Sequence, residues 1–244
     1  MLSYTWTNGE SYAMYLDGFS KAHVSGNRCE AQTTIGMYIY SLVRKSTICS
    51  ENIVTNFEKQ GISVTSFEAM ILDNICDYFT DTPTGLIAGI VAGATDCIIR
   101  GNKVTIDNSE AQTEVVYGID ITYPQATMGK SQIIQNKVVI DIDSENAVVR
   151  GTNVKNQSDC NVSLNEIVLI NADANNDSHG MYFENADRSK IVGNGIYMQN
   201  LATDIGINLD GNTDNCQGSD NLTYLVGTSV ADAGAGNAVT AQDV

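Results

Sequence analysis

Basic residues are scarce in this chain: Lys and Arg number 13 against 29 Asp and Glu, a formal net charge of −16 over 244 residues. Neutralising a phosphate backbone takes clustered Lys and Arg, so nucleic acid is not an expected partner. Long apolar runs are missing too. A membrane span needs about 20 such residues, and the most apolar stretch, Gly85 to Gly93, is short and broken by glycine. Met1 to Glu10 has neither the basic start nor the apolar middle of a secretory signal. The cysteines at 29, 49, 76, 97, 160 and 216 form no CxxC pair, which argues against zinc and against thioredoxin-type chemistry, and no cofactor is expected. Proline occurs only twice.

What is abundant is 24 Asn and 21 Gly. That excess points to tight turns and left-handed backbone positions, and so to many short strands rather than a helical bundle. With 43% hydrophobic and 17% charged residues the chain can build a core and is too lightly charged for disorder.

Eight asparagines serve as a ruler: Asn27, Asn52, Asn74, Asn102, Asn136, Asn165, Asn194 and Asn221. Three positions before each stand Val24, Cys49, Ile71, Ile99, Ile133, Val162, Ile191 and Gly218, almost all apolar. Five before each, every residue is small, Cys97, Cys160 and Cys216 among them, which marks these thiols as buried space-fillers. A second strand of period two precedes each block, as in Gly36-Met-Tyr-Ile39, Gly61-Ile-Ser-Val64, Gly118-Ile-Asp-Ile121, Asn146-Ala-Val-Val149, Gly180-Met-Tyr-Phe183 and Gly206-Ile-Asn-Leu209. Each unit is too small to bury its apolar face alone, so the units must stack. The expected fold is all-β: a right-handed parallel β-helix of about eight coils. Its coils lie about 4.8 Å apart, with an Asn ladder between two strands of each coil. The β-helix is placed at residues 1–226, with 227–244 as a C-terminal tail or cap. Because periodicity begins by Tyr12, the first coil must be covered by Met1 to Glu10, by further chain or by another subunit.

The repeated Gly-Ile-x-Val followed by Ile-x-x-Asn-x-Ile resembles the right-handed β-helix superfamily of pectate-lyase-like proteins, with phage tailspikes among its bearers, over about Ser11 to Leu225. The resemblance implies a polysaccharide partner, and it leaves activity open because the same coils carry lyases, hydrolases, epimerases and plain fibres. In the polygalacturonase-like hydrolases the order Asn-x-Asp, Asp-Asp, Gly-His-Gly, Arg-x-Lys is expected. Here Ser178-His179-Gly180 and Arg188-Ser-Lys190 invite the comparison. No Asp-Asp pair exists, and Asn212-Thr-Asp214 falls after the Arg-x-Lys. Together with the missing signal, this favours a tailspike- or tail-fibre-like module, a homotrimer at a virion or cell surface, over a secreted enzyme.

Aligning the second strands by their glycines gives candidate site residues. Two after Gly come Tyr38, Ser63, Asp120, Tyr182 and Asn208, with Tyr15 in register; four after come Tyr40, Thr65, Thr122, Glu184 and Asp210, with Arg150 nearby. Glu184 and Asp210 then stand on adjacent coils about 5 Å apart at Cα, a spacing suited to glycoside hydrolysis, with Asp120 assisting. Tyr38, Tyr40 and Tyr182 can stack on sugar rings, with Asn208 and Arg150 as further contacts. The same residues are also what the solvated face of an acidic β protein carries. His179 is read as a residue of the polar turn beginning at Asn175, and His23 as structural. Asp141 and Asp143 with Asp107 are a calcium set only if alternation along Ile140-Asp-Ile-Asp143 does not simply make them an outer face. Two rival functions stay open: a structural or assembly module without ligand, and a carbohydrate lyase or epimerase.

Overall fold

The computed structural model describes residues 4–5, 11–18, 21–41, 47–79, 86–93, 95–108, 115–127, 129–142, 148–171, 177–199 and 204–244. No helix occurs among them. The chain winds as a right-handed parallel β-helix. Its strands pair in parallel with the coils before and after, apart from Tyr4–Thr5, which runs antiparallel to Ser11–Tyr12. Each coil has three faces.

The first, the glycine face, stacks Ser11–Asp17, Ile87–Ala92, Val115–Thr127, Val148–Gln157, Asp177–Glu184 and Ile205–Leu209 with the second halves of Arg28–Tyr40 and Ile53–Thr65. A short face follows, with strands such as Ile98–Arg100, Gln132–Ile134 and Asn161–Ser163. The back face comes after the ladder asparagine, with Lys103–Asn108, Lys137–Ile142 and Glu166–Asn171. Residues 227–244 carry Thr228–Asp232, stacked on Ile205–Leu209, and Ala238–Asp243, stacked on Gln217–Tyr224.

The ruler asparagines form an unbroken ladder. Asn136 shows its chemistry: Nδ2 donates to Ile99 O at 2.9 Å and to Asn165 Oδ1 at 3.0 Å, while Oδ1 accepts from the Asn102 N and Nδ2, each at 3.0 Å. Both donors and both lone pairs are used, which is how a polar side chain can be buried at every corner without cost. The ladder asparagines are not themselves left-handed. The residue before each one is, as at Glu51, Asp73, Gln135, Leu164 and Asp220.

Most strand glycines have a different role from the left-handed one their number suggests. At Gly118 a Cβ would meet the Val138 side chain across the core and Gly151 O at 2.6 Å. The inward side chains are Val116, then Ile119 and Ile121, so alternation slips by one at Gly118. The strand bends there, and only a residue without a side chain fits the inside of the bend. The same close approach recurs at Gly36, Gly61, Gly89, Gly151, Gly180 and Gly206. One consequence reaches the surface: the residues just before the glycine and two after it, such as Arg150 and Asn153, both face outward and converge.

The interior is aliphatic, with Ile62, Ile90, Ile106, Ile119, Ile140 and Ile167 fully buried and Phe57 edge-on to Tyr78 at 5.3 Å. All six cysteines are free and buried. Burial raises the thiols of Cys49, Cys97 and Cys160 to about 12, in keeping with a space-filling role.

Candidate functional site

The register along the glycine face places Tyr15, Tyr38, Ser63, Val91, Asp120, Asn153, Tyr182 and Asn208 in one column. A parallel column holds Tyr40 and Thr65, then Thr122, Lys155 and Glu184. The expected register of Tyr38, Asp120, Tyr182 and Asn208 is therefore present. The coil assigned to Asn146–Val149 differs. Its aligned glycine is Gly151, so the strand runs Val148–Gln157 and brings Asn153 and Lys155 into the two columns. Sequence reasoning missed both residues; Arg150-Gly-Thr-Asn, in phase with Tyr117-Gly-Ile-Asp, was the signal.

Around the bend of these middle coils a hydrogen-bonded chain crosses the face. Arg150 Nη1 donates to Asn153 Oδ1 at 2.8 Å, and Asn153 Nδ2 donates to Asp120 Oδ1 at 2.6 Å. Thr122 Oγ1 donates to the same oxygen at 2.7 Å. Asp120 is only 6% exposed. Burial raises its carboxyl, and the Thr122 and Asn153 hydrogen bonds work in the opposite direction. The Arg150 guanidinium lies over the Tyr182 ring at 3.6 Å from its centroid and near Tyr117 at 5.6 Å, a cation–π sandwich that fixes its plane. Asp120, Thr122, Arg150 and Asn153 line an open depression of about 490 Å³ with Leu86, Val115, Tyr117 and Lys155.

His179 lies in the sheet beside this site rather than in a polar turn. It lies in the strand Asp177–Glu184, is 2% exposed, and accepts at Nε2 from Asn208 Nδ2 at 2.9 Å, with its ring 5.2 Å from Tyr182. It occupies the position one before the bend glycine, shared with Tyr117 and Arg150. The hydrolase-like Arg188 lies elsewhere, paired with Asp159 through two hydrogen bonds of 2.9 and 3.0 Å, and Lys190 starts a short-face strand.

Glu184 and Asp210 stand on adjacent coils, joined by Asp210 N donating to Phe183 O at 3.0 Å. Their side chains point to different work. Glu184 pairs with Lys155 Nζ at 2.6 Å. Asp210 Oδ1 accepts from Asn185 N, Asn212 N and Thr213 Oγ1, at 3.2, 3.2 and 2.8 Å, and so caps its own turn.

At the first coils Tyr15, Tyr38 and Tyr40 stack on one another: the first two rings are 5.5 Å apart at 9°, the last two 6.2 Å at 10°. Tyr12 leans on Tyr15 and Tyr38. The rings thus cover part of one another's faces. Asp107 and Asp141 are strand partners on the back face, while Asp143 lies outside the described residues. Among the described residues no three His, Cys, Asp or Glu gather as a metal site. His23 is exposed, with Nε2 3.5 Å from Ser50 Oγ.

No family model matches the sequence, and no curated protein matches it. Among solved structures, the chain is similar over 86% of its length to a glycoside hydrolase, at 10% identity and a TM-score of 0.42, and spans half of that chain. It is also similar, over 93% of its length and 76% of the other chain, to the A-module of Azotobacter vinelandii mannuronan C-5 epimerase AlgE4, at 14% identity and a TM-score of 0.36.

Proposed function

We propose that the glycine face binds polysaccharide, with the depression over Asp120, Arg150 and Asn153 as its centre. The observation that carries this reading is the chain of groups running from Tyr182 through Arg150 and Asn153 to Asp120. The Tyr117 ring, the guanidinium that Tyr182 backs, an amide and a carboxylate all line one concave surface, which is the mixture of apolar and convergent polar groups that small-ligand sites use. Tyr182 and Tyr117 supply ring surface, His179 packs against Tyr182 from the same strand and is itself held by Asn208 of the next coil, and Tyr38 and Tyr40 add aromatic surface at the first coils.

Recognition fits the geometry better than cleavage. Glycoside hydrolysis uses one carboxyl held protonated and a second, ionised one at about 5–9.5 Å across the scissile bond. Glu184 is committed to Lys155 and Asp210 to its turn, so Asp120 has no free second carboxyl as a partner among the described residues. In its finer form the proposal is a tailspike- or tail-fibre-like receptor-binding module working as a homotrimer at a virion or cell surface. A glycan array on the wild-type chain and on Asp120→Asn and Tyr182→Ala tests the reading, with light scattering for the assembly. Binding that falls in both variants supports it. A folded chain that binds no glycan returns the face to a purely structural role.

A further inference from the structure

The depression offers more hydrogen-bonding capacity than the protein itself uses. Arg150 carries five N–H donors. Among the described residues only Nη1 is hydrogen-bonded, to Asn153, and the buried Nε has no partner. Asp120 places a buried carboxylate on the same wall, and among the described residues its two side-chain donors, Thr122 and Asn153, both meet it at Oδ1. The rim is different in character. Leu86, 38% exposed, precedes Ile87, which is the partner of Val116 in the next coil, so Leu86 and Val115 stand side by side at the edge.

Donor, acceptor and an apolar edge within one depression narrow the chemistry of what fills it. A hydroxyl answers the first two and leaves Leu86 and Val115 idle. A carboxylate answers Arg150 but faces Asp120 and a chain of net charge −16, and Lys155 is already paired with Glu184. An acetamido group has one C=O, one N–H and one methyl, and so matches all three.

We propose that this depression selects an N-acetylated amino sugar within an uncharged glycan. Its carbonyl accepts from Arg150, its N–H donates to Asp120, and its methyl rests on Leu86 and Val115. The inference rests on the polysaccharide reading above and names the class of sugar that the site takes.

Calorimetry on the full chain tests it with N-acetylated oligosaccharides of the gluco, galacto and manno series. Each is matched by the oligosaccharide bearing hydroxyl in place of acetamido, and an oligouronate is added. At least one N-acetylated member should bind about tenfold or more tighter than its hydroxyl partner, the effect of one well-placed apolar and polar group. Leu86→Ser and Arg150→Gln should each erase that margin, and Leu86→Ser, on the exposed rim, should leave the unfolding temperature unchanged. Equal affinity within every matched pair, or preference for the oligouronate, overturns the N-acetyl inference and leaves the polysaccharide reading standing. No binding of any of these sugars, nor of any glycan on the array, removes both.

Discussion

Asn153 stands one coil beyond Asp120 and donates from Nδ2 to Asp120 Oδ1 at 2.6 Å, tying the centre of the depression together across 33 residues of chain. Burial and this hydrogen bond act on the carboxyl in opposite directions. Removing the amide by Asn153→Ala should raise Asp120 further and take from Arg150 the one acceptor it has among the described residues. The expected outcome is weaker glycan binding, with a greater deficit under mildly acid than under neutral conditions, read by calorimetry at both. A deficit independent of pH would show that Asn153 acts on Arg150 alone.

Asp204 predicts a pH dependence of stability. It is 1% exposed, Oδ1 has no hydrogen-bond partner among the described residues, and burial raises its carboxyl to about 7. One residue before Ile205, which pairs with His179, it sits level with Ser178, in the inward row that Val149 and Val116 fill in earlier coils. Its folded value is above its unfolded value. Its contribution is therefore fully present below the usual carboxylate range and is lost as pH rises through about 7. Asp204→Val should stabilise the protein above neutrality by on the order of 2–4 kcal/mol, with a smaller gain in acid. Thermal unfolding across pH checks this; a constant difference between the two proteins would refute it.

The ladder should be costly to interrupt. Asn136→Ala deletes four hydrogen bonds: the Asn102 N and Nδ2 lose their shared acceptor, Ile99 O loses a donor, and Asn165 Oδ1 keeps only the backbone N–H of residue 136. A loss of about 2–4 kcal/mol is expected in urea unfolding.

Gly118→Ala should destabilise although alanine is the smallest change available, because its Cβ meets both the Val138 side chain and the Gly151 carbonyl. A cost of about 1–3 kcal/mol is expected. Trimming the neighbour with Val138→Ala should recover only part of it, since the backbone carbonyl stays at 2.6 Å.

The six thiols should be silent toward an aromatic disulfide reagent in the folded protein and all react in denaturant. All six are buried and their pKa values are raised, Cys216 to about 11 and Cys49, Cys97 and Cys160 to about 12. Rapid labelling of any one of them in the native state would contradict its placement.

The coil repeat was legible because each coil restates the same local requirement, an asparagine at the corner, and most flank it with an apolar residue three before and another two after. Those demands act within a dozen residues, so Asn27 through Asn221 could be aligned without a structure. The candidate site was legible only in part. Asp120, Tyr182 and Asn208 follow directly from counting after a glycine. Asn153 and Lys155 do not, because two apolar segments, Asn146–Val149 and Gly151–Val154, compete for one strand, and only contact with the neighbouring coils decides which glycine keeps the phase. His179 went astray for a related reason. The polar residues before it suggest a turn, whereas pairing with Arg150 and Ile205 draws it into the sheet.

Side-chain partnership was the least visible level. Sequence alone put Glu184 and Asp210 on neighbouring coils; the choice of Lys155 for one and of a turn for the other depends on contacts between residues 25 to 29 positions apart or around a local loop. Architecture is written in this chain because stacking repeats a short pattern many times. The site is written once, by unrelated residues on successive coils, so its chemistry exists only after coils of unequal length have settled into a single register.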